Sequence, residues 1–129
     1  MSDKPVAQKL SIKPGSKLLL VNPPAGYVDM MGELPAGAQL LQDAHTPVEA
    51  IQAFIANREE LEAQLPLLKR RMAPKGMLWI TYHKGTSKIK TDINRDSIVA
   101  YARTIGLQGV AMISIDEDWA ALRLKLVEA

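Results

Sequence analysis

The chain has 129 residues and a formal net charge of +2, with 47% hydrophobic and 23% charged residues. This length and composition fit one globular domain with its own core, and they exclude a disordered, collagen-like or coiled-coil chain. No apolar run approaches the ~20 residues that span a bilayer, and the N-terminus lacks the apolar core of a signal peptide. Because cysteine is also absent, we expect a cytoplasmic protein without a membrane span, a disulfide or a thiolate metal site.

The first half of the chain alternates short strands with helical segments. Residues 1–16 are predicted to be a tail that ends in a turn at Pro14-Gly15, and 17–129 to form a single α/β domain. Lys17–Val21 is an apolar run typical of a strand buried on both faces, and the loop Asn22–Gly26 follows it. The pattern then predicts a short helix over Tyr27–Met31 and strands over Ala38–Gln42 and Glu49–Ala56.

The second half begins with a longer helix. Asn57 and Glu60 match the two ends of a capping box, and the helix they begin runs to about Met72, where Ala73–Gly76 ends it. Pro66 should kink this helix because it removes one backbone hydrogen bond. The further elements are a strand over Met77–Tyr82, a loop over His83–Asp92, a helix capped by Asn94 and ended by Gly106, and strands over Val110–Ile115 and Leu122–Val127. This order predicts a three-layer α/β sandwich, with a mostly parallel sheet and a C-terminal antiparallel hairpin.

Positive charge is concentrated in the middle of the chain. Between Ala63 and Thr91 there is no acidic residue but seven of the sixteen basic ones, which leaves nine for the remainder, where all fourteen acidic residues lie. Lys69–Arg71 complement the dipole at the end of their helix, whereas Lys84–Lys90 belong to a loop. Such asymmetry indicates either an anion or nucleic-acid surface or simply a solvated helix end and loop. The loop contains no aromatic residue for base stacking, which argues against nucleic acid.

The predicted fold indicates where a ligand would bind. In open α/β sheets, ligands lie beyond the carboxyl ends of the strands, which here carry the loop Asn22–Tyr27, Asn57 and the loop His83–Asp92. Lysines in that second loop would act as point charges on a phosphate or carboxylate, and Gly85 would let the backbone approach the ligand closely. The predicted ligand-binding residues are Asn22, Pro23, Gly26, Tyr27, Lys84, Gly85, Ser87, Lys88 and Lys90. We therefore expect a small anionic ligand.

The loop after the first strand argues against a nucleotide cradle. Such cradles use several glycines and backbone N–H groups, but this loop reads Asn-Pro-Pro-Ala-Gly. Two prolines remove two donors, and only Gly26 matches the glycine fingerprint. The Pro23-Pro24 pair predicts a rigid turn, with a cis bond as one alternative. No cofactor is expected.

The catalytic and metal-binding candidates are weak. Lys84 lies among other cations, an environment that lowers the pKa of a desolvated lysine and makes it a base or nucleophile, and the adjacent His83 is a candidate acid or base. His45 and His83 do not form a metal-binding pair of the HExxH type. Asp116–Asp118 are adjacent carboxylates without the spacing of a calcium loop. We predict no metal, and we expect Trp79 and Trp119 to pack in the core or the hairpin.

Two resemblances extend over most of the chain. The segment APKGMLWITY, from Ala73 to Tyr82, is similar to the strand that follows a turn of the "PGG" kind in class I methyltransferase-like folds, and Gly106–Val127 is similar to their terminal hairpin. At LLLVNPPAGY, KGTSKIKTDINRDSI and ISIDEDWAALRLK the chain resembles a family of short bacterial proteins that carry a domain of unknown function. The resemblance implies a small methyltransferase-like domain with no established activity. The chain departs from the methyltransferase pattern at Asn22–Gly26, where the glycine-rich cofactor loop is missing, and Asp43 is the nearest candidate for a ribose-binding acid.

Three interpretations remain open. The first is a non-enzymatic methyltransferase-like domain that binds a small anionic ligand or a protein partner through the loops Asn22–Tyr27 and His83–Asp92. The second is an enzyme of unknown reaction that uses Lys84. The third is a nucleic-acid accessory protein that uses Lys69–Arg71 together with Lys84–Lys90. If the last strand were an exposed sheet edge, its arginine and lysine would protect it from unwanted pairing.

Overall fold

The computed structural model describes residues 6–43 and 46–127, so His45 lies outside the described residues. The strands are β1 (Lys17–Val21), β2 (Gln39–Leu41), β3 (Val48–Phe54), β4 (Met72–His83), β5 (Leu107–Ser114) and β6 (Trp119–Leu126). The helices are α1 (Val6–Lys9), α2 (Tyr27–Met31), α3 (Arg58–Arg70) and α4 (Arg95–Thr104). Among these helices, none is both long and apolar enough to cross a membrane.

The strands form one six-stranded sheet in the order β2-β1-β3-β4-β6-β5. The first four of these strands are parallel, and β6 runs antiparallel between β4 and β5. This confirms the predicted mostly parallel sheet with a closing antiparallel hairpin. The last strand, β6, lies inside the sheet, and β5 forms the edge. The direction of winding reverses between β1 and β3, which is the point where ligands bind in open α/β sheets.

Two apolar layers enclose the sheet. Helices α3 and α4 cover one face, where Leu61 and Ile98 join Ile51 in a single buried cluster. On the other face, α1, α2 and the segment after α1 bury Leu10 and Met31 in a second cluster with strand residues of the sheet. The three layers are those expected for an α/β sandwich.

Both long helices begin at the predicted caps. At α3 the Asn57 side chain accepts a hydrogen bond from the Glu60 amide at 2.9 Å, but the Glu60 carboxylate accepts from the amide of Ala56 and not from Asn57. At α4 the capping box is complete, because the side chains of Asn94 and Ser97 each accept a 2.9 Å bond from the other residue's amide. Helix α3 continues through Pro66 as one element.

Three local expectations differ from the structure. The described part of 1–16 is more than a tail and a turn, because it forms α1 and buries Leu10, whose carbonyl accepts a 3.0 Å hydrogen bond from the Trp79 indole. Ala73–Gly76 do not end α3; they form an irregularity inside β4, because pairing with β3 resumes on either side of them. The described peptide bonds are all trans, so Pro23-Pro24 forms its turn without a cis bond.

Candidate functional site

The carboxyl ends of β1, β3 and β4 meet at one edge of the sheet, as predicted. Two hydrogen bonds join the loop after β4 to the turn after β3. The Arg58 amide donates to Oδ1 of Asp92 at 2.7 Å, and the Thr91 hydroxyl donates to the carbonyl of Ala56 at 2.6 Å. The two loops therefore form one continuous surface at this edge.

A row of aromatic rings forms the floor beneath this edge. Tyr27 packs edge-to-face on Phe54, with 4.6 Å between ring centroids, and Phe54 packs in the same manner on Trp119 at 5.0 Å. His83 lies against the opposite end of the row, stacked on Trp119 at 3.9 Å. These ring contacts make the floor closely packed.

A buried polar chain crosses the same floor. The Tyr27 hydroxyl donates to Oε1 of Gln52 at 2.7 Å, and Nε2 of Gln52 donates to the Thr81 hydroxyl at 3.0 Å. Burial raises the pKa of Tyr27 to about 12, and the hydrogen bond with Gln52 offsets part of that rise. Tyr27, a predicted ligand-binding residue, is 2% exposed and holds α2 against β3. Gln52 was not among the predicted site residues, although a glutamine inside the apolar run EAIQAFIA was the signal for a buried polar contact.

A cleft of about 680 Å³ opens at this edge between the end of β4, the start of α4 and β5. We call it the Lys84 cleft. Gly85 lines it, and its residues with polar side chains are Tyr82, Lys84, Thr86, Asn94, Arg95, Asp96 and Ser114. The Lys84 ammonium donates to the Ser114 hydroxyl at 2.6 Å, which fixes the charge at the β5 side of the cleft. The Arg95–Asp96 contact is 3.6 Å long between exposed side chains and contributes little.

A second cleft, of about 440 Å³, lies between the turn after β3 and the loop after β4. We call it the His83 cleft, and Asn57, Lys90 and Asp92 also line it. His83 is 7% exposed, and its Nδ1 has no hydrogen-bond partner among the described residues. A buried imidazole nitrogen of this kind is a candidate hydrogen-bonding group for a bound molecule.

The predicted site residues of the loop after β4 do not all line the same cleft. Lys84 and Gly85 line the Lys84 cleft, whereas Lys90 lines the His83 cleft. Ser87 is 2% exposed, and its hydroxyl donates to Oδ1 of Asp118, in the turn before β6, at 2.9 Å. Lys88 is exposed and lines neither cleft.

The loop after β1 stands apart from both clefts. Asn22, Pro23 and Gly26 are exposed on it, and neither cleft is lined by any of them. The predicted site residues therefore lie along one edge of the sheet with separate clefts, and Lys84 lines a larger cleft than His83 does.

The acidic turn before β6 has a structural role. Oδ1 of Asp116 accepts hydrogen bonds from the amides of Asp118 and Trp119 at 2.8 and 2.9 Å. Within 6–43 and 46–127, no three histidine or carboxylate side chains are grouped as metal ligands would be.

The two basic groups of the sequence lie at opposite edges of the sheet. Lys69 donates to the carbonyl of Ile105 beyond the end of α4, and the Arg71 carbonyl accepts from the amide of Val48, where β3 begins. Lys84–Lys90 follow the carboxyl end of β4.

The chain is similar to solved methyltransferases in fold. No family model matches it, and no curated protein matches its sequence. The ribosomal protein L11 methylase from Lactobacillus delbrueckii subsp. bulgaricus superposes with a TM-score of 0.62 at 12% identity, over 95% of this chain and 75% of that one. A putative type 11 methyltransferase from Sulfolobus solfataricus gives 0.59 at 11% identity, over 96% and 90% of the two chains. A TehB-like SAM-dependent methyltransferase from Corynebacterium glutamicum gives 0.59 at 13%, over 97% and 89%.

At identities this low, the superpositions show only the fold, which is that of the class I SAM-dependent methyltransferases. The loop after β1 does not fit the cofactor that this fold implies. Pro23 and Pro24 have no N–H to donate, the Tyr27 amide already donates to the carbonyl of Pro24, and α2 has only five residues. Asp43 lines a separate cleft of about 300 Å³ against α3.

Proposed function

We propose that this protein is a methyltransferase-like domain that does not transfer methyl groups and that binds a small anionic ligand in the Lys84 cleft. The proposal includes membership of the family of short bacterial proteins that the sequence resembles, and a cytoplasmic location. The Lys84 ammonium supports it most directly. This charge lies at the carboxyl edge of the sheet, where folds of this kind bind ligands, in a cleft whose size falls within the usual range of small-molecule sites.

The surroundings of Lys84 favour an anion. Its ammonium donates to a neutral hydroxyl, that of Ser114, at 2.6 Å, and among the described residues it forms no ion pair. Arg95 adds a second cation to the lining, and Asp96 adds one carboxylate. The two cations outnumber the carboxylate by one, which favours a ligand with a single negative charge beside Lys84, such as a carboxylate.

The start of α4 adds to this attraction. The ten-residue helix begins at Arg95 behind the Asn94 cap, and its N-terminal end carries a partial positive charge. The Asn94 side chain already accepts a hydrogen bond from the Ser97 amide. A ligand at this helix end would therefore meet the amides of Arg95 and Asp96. An anion between Lys84 and this helix end would contact both sources of positive charge.

A thermal-shift screen tests the proposal. The panel contains S-adenosylmethionine, nucleotides, phosphosugars, simple carboxylates and short DNA. A ligand at about 100 times its Kd should stabilise the fold by roughly 2.7 kcal/mol, which raises Tm by several degrees. Lys84→Ala should abolish the shift, and Lys88→Ala, an exposed lysine of the same loop that lines neither cleft, should keep it. A shift produced by a simple carboxylate that survives Lys84→Ala contradicts the assignment.

A protein partner is the second candidate function, and the edge strand β5 favours it. Leu107–Ser114 contains no charged residue, and Val110 and Met112 are 43% and 47% exposed. Uncharged, exposed edge strands pair readily with other chains. If the panel produces no shift and sedimentation shows self-association that Val110→Lys abolishes, β5 rather than the Lys84 cleft is the functional surface, because Val110 does not line that cleft.

A further inference from the structure

The amino edge of the sheet carries a cleft that the proposed function does not use. It has a volume of about 370 Å³ and lies between the loop before β1, the start of β4 and the side chain of Arg123 on β6. We call it the Arg123 cleft. Its charged lining residues are Lys13, Glu49, Lys75 and Arg123. Since open α/β sheets bind their ligands at the other edge, the fold alone does not account for this group of charges.

Arg123 is the central residue of this cleft. It lies in an interior strand, opposite Trp79 of β4 and Ala111 of β5. Its Nε is buried and has no hydrogen-bond partner among the described residues, and no carboxylate of that part of the chain forms an ion pair with it. A guanidinium donates up to five hydrogen bonds, and a buried donor without a partner is unfavourable. Arg123 therefore has capacity for an acceptor that the described chain does not supply.

The other charged residues of the lining add to the positive charge of Arg123. Lys13 and Lys75 come from two separate segments, and both line the same cleft as Arg123. Glu49 is the acidic residue of the lining, and its carboxylate accepts a 3.2 Å hydrogen bond from the amide of Lys17. Three cations beside one carboxylate repel one another, and an anion bound between them offsets this repulsion.

The backbone around the cleft is fixed before any ligand arrives. Lys75 belongs to the irregular segment inside β4, and such bulges redirect side chains. A Cβ at Gly76 would lie 3.0 Å from the carbonyl oxygen of Ala73 and 3.1 Å from that of Glu49, so this segment is packed closely on β3. On the opposite wall, the Ser16 hydroxyl donates to the Lys13 carbonyl at 2.6 Å. These contacts hold both lysine-bearing segments in place.

We infer that the Arg123 cleft binds the phosphate group of a small phosphorylated molecule. The planar guanidinium matches two phosphate oxygens at once, and the lysines act as point charges on the same group. A phosphate dianion also balances the excess of cations over carboxylate in the lining. The volume is at the lower end of the range for small-molecule sites, which suits a compact ligand. This inference is independent of the Lys84 cleft and does not rest on the proposed function.

Titration of the full-length protein with inorganic pyrophosphate, followed by amide NMR shifts, tests the inference. Gly15 and Gly76 report on the Arg123 cleft, and Gly85 reports on the Lys84 cleft. We expect saturable shifts at Gly15 and Gly76, and a Kd that rises about tenfold or more when Arg123→Gln removes a charge-assisted contact. Lys125→Gln, an exposed cation on the same strand that does not line the cleft, should leave the Kd unchanged.

A further variant keeps the test valid if Arg123→Gln disturbs the sheet. Lys75 is exposed, so Lys75→Ala should weaken pyrophosphate binding without unfolding the protein. Shifts confined to Gly85 would mean that pyrophosphate binds the Lys84 cleft and would overturn the inference. So would the absence of saturable shifts, or equal affinity in the wild type and Lys75→Ala. Because Gly85 is read separately, failure here is distinguishable from failure of the proposed function.

Discussion

The buried chain of Tyr27, Gln52 and Thr81 makes a sharp prediction about stability. Tyr27→Phe removes the donor that Gln52 accepts at 2.7 Å, and Gln52 is fully buried, so its oxygen loses its partner where water does not reach. An unsatisfied buried acceptor costs about 1–3 kcal/mol. We expect the free energy of unfolding to fall by about 2 kcal/mol near neutral pH, and Tm by roughly 6–8 °C.

The same substitution should change the dependence of stability on pH. Burial raises the pKa of Tyr27 from 10.0 to about 12 in the folded protein. Above about pH 10 the unfolded chain therefore loses this proton while the folded chain keeps it, so the stabilisation is complete below that pH and is lost as the pH rises towards 12. At about pH 11 the loss is roughly 1.4 kcal/mol. Phenylalanine has no such proton. The difference in free energy of unfolding between wild type and Tyr27→Phe should therefore be smaller at about pH 11 than near neutral pH, by that amount.

Urea unfolding from about pH 8 to pH 11, followed by tryptophan fluorescence, measures both effects. Burial also raises the pKa of Tyr82, but this contribution is common to both proteins and cancels in their difference. Tyr101→Phe is the control, because the Tyr101 hydroxyl makes only an exposed 3.2 Å bond to the Glu62 carbonyl. A constant gap between wild type and Tyr27→Phe across this range would refute the reasoning.

Two further substitutions test local features of the fold. Asn94→Ala removes the acceptor of the Ser97 amide and should lower the free energy of unfolding by about 1 kcal/mol. Hydrogen exchange in the first turn of α4 should quicken, and unchanged protection there would contradict the capping role. Gly76→Ala places a Cβ 3.0–3.1 Å from three backbone carbonyl oxygens and should cost about 1–3 kcal/mol. Gly85→Ala, with no atom within 4 Å of its Cβ, should have little effect on Tm, and equal losses in the two variants would argue against the tight packing of β4.

The elements that depend on neighbouring residues were predicted correctly from the sequence. The apolar run Lys17–Val21 and the caps Asn57 and Asn94 specify strand or helix through neighbouring residues, and the structure confirms them. The segments that differ depend on distant contacts. Helix α1 has four residues and is held by packing beneath the sheet, and Ala73–Gly76 read as a turn but are drawn into β4 by pairing with β3.

The edge of the sheet that carries the candidate site was predictable from the sequence, but the grouping of its residues into clefts was not. Parallel strands bring their loops to one edge whatever the loops contain, so the edge followed from the order of elements. Which lysines share a cleft depends on the path of the loop, which the bond between Ser87 and Asp118 determines across 31 residues of sequence. Likewise, the Arg123 cleft depends on the segments before β1 and at the start of β4, which lie far from Arg123 in the sequence.

Calorimetric titration with S-adenosylmethionine tests most directly whether this methyltransferase fold has no site for its usual cofactor. Since Pro23 and Pro24 supply no donors and α2 has five residues, we expect no saturable heat up to about 1 mM ligand, a concentration that would reveal a Kd of about 1 mM or tighter. Saturable binding in the micromolar range would contradict it, because the loop after β1 would then hold the cofactor despite its prolines.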